Sequence, residues 1–277
     1  MLNDRRTGPF FWRNDLSNAD TAIAALRSGY DALADLVKKF DDEALAGPSA
    51  ASEWDIAQVL SHLGSGAEIM TNTVQLALAG KPPAEGDFNQ TVWARWDSSS
   101  RREQADGFLE WNEKLVSLFE SLTPEQLETV RIDLGYLPAP ADVTTVARMR
   151  LSEFTLHSWD VRSASDPAAT LAAEAVPELL AQRTIDLSWV SKPAELDGKY
   201  AVLTVVTTDP ATELTLNLAD PVTLKDGRSG EADGTLTLPG ETWLRLISGR
   251  LGPDTPANLE LTGPITLATL RRVFQGY

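Results

Sequence analysis

The chain of 277 residues carries two histidines, and both fall in segments of helical pattern. His62 lies in Trp54-Asp55-Ile56-Ala57-Gln58-Val59-Leu60-Ser61-His62-Leu63, and His157 in Glu153-Phe154-Thr155-Leu156-His157-Ser158-Trp159-Asp160-Val161-Arg162. Residues four apart on an α-helix differ by about 40° around its axis, so Glu153 and His157 project from one face and can hold one ion between them. With His62 supplied by another helix, the set is two imidazoles and one carboxylate. Three protein ligands with an open fourth position is the pattern of a catalytic zinc, whereas structural zinc is closed by four ligands and is rich in cysteine. The chain has no cysteine. The competing reading is that Glu153 and His157 pair only with each other and that His62 is a satisfied core histidine.

Asp160 can accept a hydrogen bond from the outer ring nitrogen of a liganding histidine and fix its tautomer, or else pair with an arginine on the helix surface. Ser61 and Ser158 adjoin the histidines, but neighbouring helix residues do not face each other, which argues against a Ser-His nucleophile. There is no phosphate-cradling glycine loop.

These side chains need helices to place them. Ile23, Leu26, Tyr30, Leu33 and Val37 recur at three-to-four spacing after Ser17-Asn18-Ala19-Asp20, a core-facing helix. Ser52-Glu53-Trp54-Asp55 reads as a capping box for a helix through Ile56, Val59, Leu63 and Met70 to about Leu78, broken by Gly80-Lys81-Pro82-Pro83. A third helix is expected from near Gln104 to Phe119, a short turn at Thr123-Pro124, and a fourth helix from Thr144 to about Ser163. Short connections favour an antiparallel bundle, whose interior is where facing helices build metal sites. Met149, Glu153, Leu156 and Asp160 form the stripe expected to face that interior. Trp12, Trp54, Trp93, Trp96, Trp111 and Trp159 read as core and pocket wall.

Near Ser165-Asp166-Pro167 the pattern changes. A helix over roughly Leu171 to Val190 precedes strand-like Tyr200 to Thr207. Further strands are expected at Leu214–Leu218, Val222–Lys225, Thr235–Leu238 and Leu259–Thr262, with helices at Thr242–Ser248 and Thr266–Phe274. The expected fold class is α plus α+β: a helical domain over residues 1–165, then a smaller mixed α+β domain over 166–277.

Composition narrows the chemistry. Hydrophobic residues make up 43% and charged ones 23%, ordinary for a soluble globular protein. No apolar run approaches the ~20 residues of a membrane span, and Met1-Leu2-Asn3-Asp4-Arg5-Arg6 leads into no apolar signal region, so a cytoplasmic location is expected. The net charge is −16, with acidic residues in excess in both parts. Such a surface repels phosphate backbones and anionic lipid heads, so neither nucleic acid nor membrane is expected as a partner. Without cysteine, any sulfur chemistry must use a thiol from outside.

The Trp54-to-His62 helix and the Glu153-to-Arg162 helix resemble the motifs of the mycothiol-dependent maleylpyruvate isomerase family, whose amino-terminal domain belongs to the DinB-like four-helix bundles. Gly234-Thr235-Leu236-Thr237-Leu238, Trp243 to Leu251 and Leu261-Thr262-Gly263-Pro264 resemble its second domain, related in fold to sterol carrier proteins. Where the family often has proline and glycine before the tryptophan, this chain has Ala51-Ser52-Glu53. The resemblance implies that His62, Glu153 and His157 bind a divalent metal, zinc by the donor set, and that mycothiol is the thiol cosubstrate, held as thiolate. A metal-coordinated thiol is deprotonated, whereas a free one with pKa near ~8.5 is mostly protonated at neutral pH. Addition to an electrophilic substrate would give a stable conjugate, or a transient adduct that rotates and eliminates to the trans isomer. Arg250 would neutralise a substrate carboxylate at the domain interface, or is a surface arginine. Two rival functions stand beside this one: metal-assisted hydrolysis with water in the open position, and a binding protein whose metal is a structural pin.

Overall fold

The computed structural model describes residues 18–84, 86–181, 187 and 190–276. Four long helices make the first part: α1 (Asn18–Val37), α3 (Ile56–Leu78), α5 (Arg101–Glu120) and α7 (Val143–Ser163), with the short helices α2 (Asp42–Leu45), α4 (Phe88–Asp97) and α6 (Pro124–Thr129) in the connections. α1 packs on α7 and α5, and α3 on α5 and α7. The expected stripe of α1 is buried throughout, from Ile23 to Val37. A two-residue hairpin, β1 (Arg131–Ile132) with β2 (Ala141–Asp142), leads into α7. Asp142 caps that helix, accepting the Thr145 N–H at 2.7 Å.

The cap of α3 is Asp55, not Ser52. Its Oδ1 accepts the Gln58 N–H at 2.8 Å, and the Gln58 side chain returns to the Asp55 N–H at 2.9 Å. The box therefore begins at the residue immediately before the first helical one, where the orphan N–H groups are in reach. Arg101 binds the other Asp55 oxygen at 2.8 Å, tying α5 to the same point. Gly64 of α3 and Gly107 of α5 leave room for the Trp96 ring. A Cβ on them would lie 2.2 and 2.7 Å from it.

The second part opens with α8 (Ala175–Ala181); the remainder of the helix expected up to Val190 falls largely outside the described residues, as does Trp12. A five-stranded sheet follows in the order β5-β4-β3-β6-β7, from β3 (Ala201–Thr208), β4 (Ala211–Leu218), β5 (Thr223–Asp226), β6 (Gly234–Leu238) and β7 (Glu260–Leu261). β3 and β6 are parallel, every other pair antiparallel. α9 (Gly240–Ile247) packs on β3 and α8, and α10 (Leu267–Val273) on α9. The fold is thus a helical domain followed by α+β. α8 also touches α1 and α7, so the buried apolar residues of both parts form one connected cluster. No helix among the described residues is long and apolar enough to cross a membrane.

One expectation about α7 is corrected. Its core-facing side carries Val143, Val146, Ala147, Leu151, Phe154 and Val161. Met149, Glu153 and Leu156 lie off that stripe and face a cavity between the two parts. Apolar side chains take most of the bundle interior, and the carboxylate is placed where space remains.

Candidate functional site

α3 and α7 bring His62, Glu153 and His157 together. Each offers one ligand atom, and these atoms all lie within 4.8 Å of one another. Glu153 Oε2 is 3.6 Å from His62 Nε2 and 3.4 Å from His157 Nε2. Both separations exceed a good hydrogen bond. They match the edge of a tetrahedron whose centre-to-ligand distance is about 2.1 Å, which is about 3.4 Å. The donor set and two of its three separations therefore fit a divalent metal such as zinc.

The surroundings constrain these groups. His157 Nδ1 is 2.8 Å from Asp160 Oδ2, leaving Nε2 to face Glu153. Burial pushes the Asp160 carboxyl up, but His157 and Arg250 outweigh that and hold it below the usual carboxylate range. Burial likewise raises Glu153, yet the His62 imidazole beside it, with His157 and the Arg150 cation, brings it down to about 2. Glu153 is ringed by protein but its side chain is 48% accessible, because it opens on the cavity. A carboxylate ionised at neutral pH and reachable from a cavity suits a cation. Trp54 lies against both imidazoles, its ring 5.1 Å from His62 and 5.9 Å from His157. The Ala50 N–H donates to the Asp160 carbonyl at 3.0 Å, which holds the segment before α3 on α7.

Arg250 reaches this site from the second part. Gly249 has φ of 73° and ends α9, with the Arg250 N–H returning to the Arg245 carbonyl at 2.7 Å in a left-handed helix stop. A Cβ at Gly249 would also lie 2.4 Å from the backbone at Gln275, so the position has neither freedom nor space for another residue. The Arg250 guanidinium donates to both Asp160 oxygens, at 2.9 and 2.7 Å, and from Nη1 to the Ser248 carbonyl at 3.0 Å. Arg250 lies between the two parts of the chain, and the side chain it grips is Asp160.

The cavity has a volume of about 480 Å³. His62, Glu153 and Met149 line it from the bundle, Leu179 from α8, and Leu244 and Ile247 from α9. Trp93 is in its wall, whereas Trp96 is in the core. Arg150, also a wall residue, is not marked out by any sequence motif. The available signal was an arginine on the core-facing stripe of α7 between Ala147 and Leu151.

A family model described as mycothiol maleylpyruvate isomerase N-terminal domain matches residues 26–162. Over 91% of the chain, the fold is similar to the crystal structure of the mycothiol-dependent maleylpyruvate isomerase, covering 96% of that chain with a TM-score of 0.61 at 13% identity. A histidine-to-alanine mutant of that isomerase superposes with a TM-score of 0.60 at the same identity and coverage. A protein of Oceanobacillus iheyensis named "Putative metal-dependent hydrolase" is 34% identical over 98 residues, which are 35% of this chain. The chain spans 57% of that relative's length.

Proposed function

Through residues 26–162 the chain belongs to the mycothiol maleylpyruvate isomerase N-terminal domain family, and from that premise we propose that it is a divalent-metal-dependent enzyme using mycothiol in S-transfer or cis–trans isomerisation. The observation that carries the reading is the set His62, Glu153 and His157, three donors on two helices at the edge of a cavity large enough for a small molecule. When bound, a zinc-like metal supplies a Lewis-acidic position that lowers a thiol's affinity for its proton, which gives a chain without cysteine a sulfur nucleophile. His62 and His157 contribute neutral donors, and Glu153 a negative one that is ionised well below neutral pH. Asp160 orients His157, and Arg250 orients Asp160. Arg250 is thus a positioning residue in this reading. The apolar wall from α8 and α9 limits water around the reacting groups.

Calorimetry with mycothiol tests the proposal. In buffers of different ionisation enthalpy, thiol binding near neutral pH should release about one proton, because the bound form is deprotonated. Metal-free protein should release little, and an S-methylated analogue should bind much more weakly. Equal affinity for the methylated and free thiols, with no proton released, would overturn it.

The relative named as a hydrolase supports a second reading, metal-assisted hydrolysis by the same three ligands. Turnover that needs the metal but no thiol would favour it.

A further inference from the structure

Arg150 is buried, 5% exposed, on the core-facing side of α7. A guanidinium has five N–H donors. Those of Nη2 go to the Leu63 carbonyl at 2.7 Å and to Asn112 Oδ1 at 2.6 Å. Nε is buried and has no partner. Nη1 makes no hydrogen bond to the described residues, and no carboxylate among them pairs with the group; Glu153, a turn further along, acts on it only at longer range. The Phe154 ring, 6.0 Å away, offers the charge a weak aromatic contact.

One buried donor with no partner, and two on Nη1 with none among the described residues, are unusual on a buried cation, because such groups are normally matched by a protein group, water, ion or ligand. A water could take a hydrogen bond but leaves the charge unpaired, and an unpaired buried charge is costly. The position of Nη1 points to a ligand. It lies beside Gly66, where an added Cβ would come within 3.2 Å of it. Gly66 and Arg150 both belong to the cavity wall, and Arg150 is the one lysine or arginine there among the described residues. Much of the remaining wall is apolar: Ile69, Met70, Met149, Leu156, Leu244 and Ile247. A largely apolar enclosure with one placed cation, whose one wall carboxylate among the described residues, Glu153, is turned to His62 and His157, selects an apolar body bearing one negative head.

We infer that Arg150 is the anion-reading residue of this cavity and that the molecule acted on is an apolar monocarboxylate, its head at Nη1 beside Gly66 and its body against α9. The inference depends on the proposed function for the reaction but not for the binding step.

The test therefore uses the full-length chain stripped of metal, titrated calorimetrically with 4-phenylbutyrate and with its neutral counterpart 4-phenylbutyramide. The carboxylate should bind about 10- to 100-fold more tightly, the range of a hydrogen bond to a charged group. Arg150→Met should remove the preference, and Arg150→Lys should restore part of it. Gly66→Ala keeps the charge and fills the space beside Nη1, so it should weaken the carboxylate more than the amide even if Arg150→Met does not fold. Equal binding of the two probes to wild type overturns the inference, as does a preference that survives in Arg150→Met. A preference seen only after metal loading also overturns it, because the head group would then be on the metal. A carboxylate preference in metal-free protein, alongside failure of the thiol titration, would leave this inference standing and remove the thiol chemistry alone.

Discussion

Arg250 grips both oxygens of Asp160 across 90 residues of sequence, at 2.9 and 2.7 Å, and Asp160 is 1% exposed. The same carboxylate holds His157, so a contact between the two parts of the chain bears on the orientation of a proposed metal ligand. Asp160→Asn should lower zinc affinity about 10- to 100-fold, the usual effect of losing a group that orients a ligand. Competition with a chromophoric chelator measures this, and unchanged affinity would detach Asp160 from the site.

Arg250→Met removes one partner of a buried pair and should cost about 3 kcal/mol, because the Asp160 carboxylate loses its strongest counter-charge. Combining it with Asp160→Asn should cost less than the sum of the two single changes. Urea unfolding of the four proteins gives the coupling, and strict additivity would show that the pair contributes no interaction of its own.

Purified wild type should carry one metal per chain, with large losses in His62→Ala, Glu153→Ala and His157→Ala. Elemental analysis decides it. Full loading in His62→Ala would take α3 out of the metal centre.

The pH dependence of the metal-free protein follows from Glu153 at about 2 and from Asp160, also depressed. An unfolded carboxyl titrates near 4. Between those values the unfolded chain binds more protons, so stability rises with pH in this window. The contribution is present above about pH 5 and is lost as pH falls toward 2. Glu153→Gln should flatten the fall in melting temperature over that range, and a slope identical to wild type would show that Glu153 is not held ionised by its neighbours.

Gly64→Ala should destabilise by about 1–3 kcal/mol through overpacking against the Trp96 ring, since the added Cβ would lie 2.2 Å from it. Trp96→Phe in the same chain should recover part of the loss. Wild-type stability in Gly64→Ala would mean that Trp96 can move aside at little cost.

The pairing of Glu153 with His157 was legible because helical spacing alone puts residues four apart on one face, and His62 because no other histidine exists. The direction of that face was not legible. Met149, Glu153 and Leu156 look core-facing by period, but Phe154 and Leu151 occupy the core, and only the second part of the chain shows what the other stripe meets. Arg150 is illegible for a related reason: a sequence pattern does not reveal that an arginine on a buried stripe lacks a carboxylate. The contact of Asp160 with Arg250 joins residues 90 apart, and the turn at Gly249 that precedes Arg250 packs against Gln275, which no local pattern reveals. The helix α4 and the hairpin before α7 are short, and their residues show no clear period.

The cavity draws its walls from separate stretches of chain, with the proposed metal ligands on α3 and α7 and the apolar cover on α8 and α9. The proposed metal chemistry and the fit of the guest's apolar end against α8 and α9 are therefore written in different places. Substitutions at Leu179, Leu244 or Ile247 could admit a longer, shorter or more branched guest while His62, Glu153 and His157 stayed as they are. Such an arrangement lets one reactive centre be adapted to many compounds by exchange of a few aliphatic side chains.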